Sequence, residues 1–117
     1  MNDTVWLALS DLERTFAGRK PLIRKLVNVF IQTYDTFTDD MNTLAQQGDS
    51  KGFAIQLHSL KGASASLGAE ALRSRIAVLE ADLKSGASSM QQVHAELVPF
   101  WPAVMQNARE ILNGLGE

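Results

Sequence analysis

The chain has 117 residues, with 11 Lys and Arg against 13 Asp and Glu, a formal net charge of −2, and no cysteine. That length suits one hydrophobic core and leaves no room beside it for a nucleotide-binding catalytic domain, so residues 1–117 are read as a single domain. The absence of thiols excludes a disulfide framework and any thiolate metal site, and the mixed charge offers no broad basic surface for nucleic acid. The N-terminus lacks a leader-like charged and apolar pattern, and no run approaches the ~18 apolar residues of a membrane span, so no direct membrane contact is expected.

Thr4 is placed to cap a first, short helix over 4–17, in which Val5, Leu9, Leu12 and Phe16 keep helical spacing and Gly18 supplies a left-handed end. Pro21 suits the first turn of a second helix, where Ile23, Leu26, Val27, Phe30, Tyr34, Phe37, Met41 and Leu44 mark one unbroken stripe. The spacing predicts a single helix over 20–47; at 1.5 Å per residue it would be about 40 Å long. Gly48-Asp49-Ser50 stops it and caps a third helix over 50–67, which Gly68 ends. Ala69, Leu72, Ile76, Leu79 and Leu83 form the stripe of a fourth helix closed by Ser85-Gly86, and the short connection makes the third and fourth antiparallel neighbours. From Ser89 to Leu115 the period is again helical, but Pro99 and Pro102 each remove a backbone donor, which predicts a kink or break near 98–102. No strand alternation occurs. The expected fold is all-α: an antiparallel four-helix bundle with a short additional N-terminal helix.

The chemistry-bearing stretch lies in the third helix. Phe53, Leu57, Leu60, Ser64 and Leu67 recur at steps of four, three, four and three and define its buried face. His58 projects roughly 140° from the centre of that face, into water. Ala54, Gly62 and Ala65 surround it with small side chains, and Ile55, an apolar residue on the same exposed side, reads as the centre of a docking patch. Glycine inside a helix costs about 1 kcal/mol relative to alanine, so Gly62 needs a reason: either a partner approaches closely or a neighbouring helix does. Imidazole retains a nucleophilic nitrogen at neutral pH, and Lys61, one turn on, can neutralise negative charge added to the ring. Glu80 lies 22 residues after His58 and can either bond the non-reacting ring nitrogen or stand solvated. His94 has no Lys-Gly context and reads as a surface bystander. A di-iron carboxylate bundle would need Glu three residues before each histidine, where Ile55 and Gln91 stand, and is excluded. Ser59 and Ala63 occupy the positions where a sensor-kinase dimerisation helix carries an acidic residue and a proline.

His58-Ser59-Leu60-Lys61-Gly62, with Gly68-Ala69, Leu72 and Leu79-Glu80 downstream, resembles the histidine-containing phosphotransfer (HPt) family of multistep phosphorelays. Leu57 departs from the alanine often found before the histidine in that family. The resemblance implies that His58 accepts a phosphoryl group from the aspartate of a response-regulator receiver domain and passes it on. It further implies a cytoplasmic monomer or the cytoplasmic domain of a membrane-bound hybrid sensor kinase. With no ATP-binding motif, the chain is expected to be a phosphohistidine carrier with no kinase activity of its own. It is expected to hold no cofactor or metal, Mg2+ belonging to the receiver partner. Two alternatives share the pattern: the phosphoacceptor domain of a chemotaxis-type histidine kinase, and a non-catalytic scaffold that only binds receivers.

Overall fold

The computed structural model describes residues 4–115. Seven α-helices follow one another, and there is no strand among the described residues: α1 (Leu9–Thr15), α2 (Lys20–Tyr34), α3 (Phe37–Gln46), α4 (Ser50–Ser66), α5 (Glu70–Ser85), α6 (Met90–Leu97) and α7 (Trp101–Leu115). The helix expected over 20–47 is therefore two. The apolar stripe runs on through the break, from Ile23, Val27, Phe30 and Tyr34 on α2 to Phe37, Met41 and Ala45 on α3, all buried. Periodicity alone could not reveal the interruption. Its partner sits elsewhere in the chain: the Trp101 indole N–H donates to the Tyr34 carbonyl at 3.0 Å, and the Trp101 ring lies 4.9 Å from that of Phe37. Arg109 on α7 adds an exposed ion pair to Asp35 at 2.8 Å.

The break between α6 and α7 falls where the prolines place it, with Pro99 in the connection and Pro102 in the first turn of α7, a position that needs no intrahelical amide donor. α6 starts on a capping box, Ser89 Oγ accepting from the Gln92 amide at 3.1 Å and Gln92 Oε1 from the Ser89 amide at 2.7 Å.

The N-terminal expectation needs correction. α1 begins at Leu9 behind Ala8, which makes no side-chain cap, so Thr4 is not the capping residue, and Val5 is exposed rather than part of a buried stripe. The apolar residues that matter there are Trp6 and Leu7, both buried. Asn107 Oδ1 on α7 accepts from their backbone amides at 2.8 and 3.4 Å, and Trp6 stacks on Phe100 with ring centroids 4.6 Å apart. A non-helical segment thus uses its amides on a side chain of α7 and its indole on the core. Gly18 does take the left-handed conformation expected of it, with φ +69°.

α2 packs on α7, α3 on α6 and α4, and α4 on α5. Phe53, Leu57 and Leu60 of α4 and Leu72, Ile76 and Leu79 of α5 are fully enclosed in one apolar cluster. Each such side chain contributes about 1.5–3 kcal/mol by leaving water. Gly68 makes the turn between these two helices with φ +70°, and a Cβ there would press on Thr15 Oγ1 of α1. The left-handed conformation favours glycine, and any side chain would also make Thr15 shift.

Candidate functional site

α4 is anchored at its start by Asp49, whose carboxylate accepts from the Gly52 amide at 2.9 Å. Its rotation is then fixed by the burial of Phe53, Leu57, Leu60 and Ser64; the Ser64 hydroxyl donates to the Leu60 carbonyl at 2.8 Å, so the one polar group on that face is satisfied. With this face inward, the His58 side chain stands out with 71 % of its surface exposed. α5 returns antiparallel through the Gly68 turn. Ile76 and Leu79 are buried, and Glu80, one residue further round, faces α4.

Glu80 serves both polar residues of α4. One carboxylate oxygen lies 2.8 Å from His58 Nδ1, and the other accepts from the Lys61 ammonium. Of the two readings the sequence left open for Glu80, the structure shows the bonded one. The hydrogen bond from Lys61 holds the Glu80 carboxyl below the usual carboxylate range; partial burial opposes this, and the bond to His58 supports it. An ionised carboxylate can only accept, so the proton of a neutral His58 ring resides on Nδ1 and the lone pair on Nε2. The ring is held by one nitrogen and open at the other. Lys61 spends its charge on Glu80 in this state, one helical turn from His58.

Around the ring, Ala54, Ala65 and Gly62 are exposed, and a Cβ built at Gly62 meets nothing within 4 Å. No neighbouring helix of this chain needs that glycine. Ile55 is 53 % exposed on the same side. A groove of about 590 Å³ between α4 and α5 is lined by Ala54, Ile55 and Leu83, with His58 and Glu80 at one end and Lys51 and Lys84 beyond. The sequence reading missed these two lysines. Their signal was the register: Lys51 precedes His58 by two helical turns, and Lys84 follows Glu80 by one, so each shares the face of the residue already singled out.

His94 is not a surface bystander. It is half-buried on α6, and its Nε2–H donates to the Thr38 carbonyl of α3 at 3.1 Å. The nitrogen that is free in His58 is used for structure in His94. Among the described residues, no group of three or more His, Asp or Glu side chains is arranged to hold a metal ion, and no helix is long and apolar enough to cross a membrane.

The site is thus an exposed helical imidazole with one nitrogen held by a carboxylate, on an all-helical chain. The model of the Hpt domain matches residues 25–113, and the chain belongs to the Hpt domain family. Membership implies histidine phosphotransfer in phosphorelays and, in general, interaction with response-regulator receiver domains. Neither the curated proteins nor the solved structures compared with the chain include a match.

Proposed function

We propose that this chain is a phosphohistidine carrier in which His58 Nε2 exchanges a phosphoryl group with the aspartate of a receiver domain. The observation that carries the proposal is the division of labour on the His58 ring, Nδ1 bonded to Glu80 and Nε2 in solvent. In the forward step the Nε2 lone pair forms the N–P bond as the acyl O–P bond of the receiver's aspartyl phosphate breaks, and the carboxylate leaves with the electron pair. The ring gains positive character as it does so, and its Nδ1–H remains on Glu80, whose negative charge offsets that gain. The reverse step passes the group on. Lys61 keeps Glu80 ionised and places an ammonium near the incoming phosphoryl oxygens. The receiver contributes the aspartate and its Mg2+.

In this reading residues 1–117 act as one unit in which α2–α3, α4, α5 and α6–α7 form four rods, with α1 seated at the turn between α4 and α5. Ala54, Ile55, Gly62 and Ala65 form the surface on which the receiver rests, and Gly62 is kept small for that approach. The test is to mix the chain with phosphorylated receiver domains and follow acid-labile phosphate. Transfer to the wild-type chain and none to His58→Gln is the expected result. Acid-labile label on His58→Gln would move the acceptor elsewhere.

A further inference from the structure

Residues 4–16 lie across the bundle as a strap, and the link that joins them to α2 is strained. Ala17 and Gly18 both take the left-handed conformation, with φ +53° and +69°, and Ala17 is the one non-glycine residue with positive φ among the described residues. In that region the Cβ of alanine crowds the following carbonyl, a penalty that glycine escapes. Ala17 is exposed, so no burial of its methyl group offsets the strain. Two backbone bonds close the turn, from the Gly18 amide to the Glu13 carbonyl at 2.7 Å and from the Arg19 amide to the Phe16 carbonyl at 3.1 Å. Gly18 and Arg19 are exposed, so water can take over both amides. Pro21, in the first turn of α2, prevents α1 and α2 from fusing into one helix, because its ring would meet the Ala17 carbonyl. A released link therefore opens as extended chain.

The strap has little hold of its own. α1 is 7 residues long, shorter than an isolated helix needs, and has no side-chain cap. It is held by what lies beneath it: Trp6 on Phe100, the amides of Trp6 and Leu7 on Asn107, Leu12 in the core, and Thr15 against Gly68 in the α4–α5 turn. A groove of about 260 Å³ remains between strap and α7, lined by Val5, Leu7, Glu110 and Ile111 among others. The seat is specific but incompletely filled, which marks a segment that opens before the bundle does.

We propose that the strap exchanges between two copies of this chain. When the link opens, Phe100 and Asn107 lose their cover, and the segment that fits them is the same strap on a second copy. Every contact of the seat is remade between the copies, so the closed and exchanged forms differ chiefly at Ala17, whose left-handed turn is released twice in the dimer. His58 and Glu80 take no part in the seat. Each copy keeps its acceptor ring, the dimer carries two of them on one particle, and the exchange stands independently of the phosphocarrier reading.

The chain has no cysteine, so thiols can be placed at will. One preparation carries Val5→Cys on the strap and another carries Glu110→Cys on α7, positions that line the same groove. The two are mixed at about millimolar concentration, where a second copy competes with a short tether, warmed to open the strap, cooled, and treated with a short bismaleimide linker. The expected result is a cross-link between copies, with a dimer in sedimentation velocity. Ala17→Gly relieves the closed form and should weaken dimerisation roughly tenfold, whereas Ala17→Pro excludes positive φ and should strengthen it roughly tenfold or more. Circular dichroism checks that each variant is helical; if Ala17→Pro does not fold, the wild type against Ala17→Gly decides alone. Monomers at every concentration in the wild type and in Ala17→Pro overturn the proposal. So does an Ala17→Gly dimer as strong as that of the wild type, or a dimer in which the Val5→Cys and Glu110→Cys copies are not joined by the linker.

Discussion

His58 and His94 are chemically the same side chain in one small helical protein, and the structure uses them in opposite ways. His58 sits on the face of α4 turned from the core, with Nδ1 on Glu80 and Nε2 in water. His94 is half-buried on α6, and its Nε2–H is committed to the carbonyl of Thr38. A nucleophile needs a lone pair that a partner can reach; the first ring leaves Nε2 without a partner on an exposed side chain, whereas the second has already committed Nε2 to a carbonyl. What separates the two rings here is which nitrogen the fold has already used.

The largest test of that contrast is exchange of each ring for glutamine. His58→Gln should abolish phosphoryl acceptance with melting temperature nearly unchanged. His94→Gln should leave acceptance intact and lower stability by about 1 kcal/mol as the bond between α6 and α3 is weakened, read from urea unfolding. Label persisting in the first variant, or lost from the second, would break the comparison.

Next in size is the clearing around His58. Gly62→Gln should cost roughly tenfold or more in receiver affinity while raising stability, since glutamine is favoured over glycine in a helix by up to about 1 kcal/mol and its Cβ meets nothing in the free chain. Unchanged affinity would remove Gly62 from the docking surface. Lys61→Ala should slow transfer by roughly tenfold at most, consistent with ~1 kcal/mol for a partly exposed charge. An unchanged transfer rate at low salt would make Lys61 a purely structural partner of Glu80.

The smallest effect concerns pH. The folded carboxyl of Glu80 lies below its ordinary range, mainly through Lys61. Its contribution to stability is therefore fully present above the unfolded value of about 4.3 and is lost as pH falls through the lower folded value. Glu80→Gln should flatten that part of the acid limb in urea unfolding as the pH falls below about 5. A slope identical to wild type would show that Glu80 gains nothing from its two partners.

The exposed face of α4 was legible in the sequence because burial and exposure alternate there with clean helical period: Phe53, Leu57 and Leu60 point in, and His58 and Ile55 point out. The α4–α5 hairpin was legible because Gly68 leaves only one short way back. The break after Tyr34 was not, since the donor that satisfies the Tyr34 carbonyl is an indole 67 residues away and the apolar stripe continues across it. Asn107 receives the amides of Trp6 and Leu7 from about 100 residues off, which no local capping rule contains. The role of His94 depends on a carbonyl of another helix, and the choice between the two readings of Glu80 depended on the exact rotation of α5. Local periodicity carries faces and turns; what lies opposite a face is decided by the whole chain.

The exposure of His58 also sets how long a message can be kept. Under the proposed function a phosphoryl group on Nε2 would face bulk water, because the His58 side chain is 71 % exposed among the described residues, and its lifetime would follow the intrinsic chemistry of the N–P bond. Such a carrier is a courier and not a reservoir. Signal loss is then governed by how soon the next receiver arrives, and raising the local concentration of that receiver, by tethering or by expression, lengthens the effective reach of the relay more than any stabilisation of the fold.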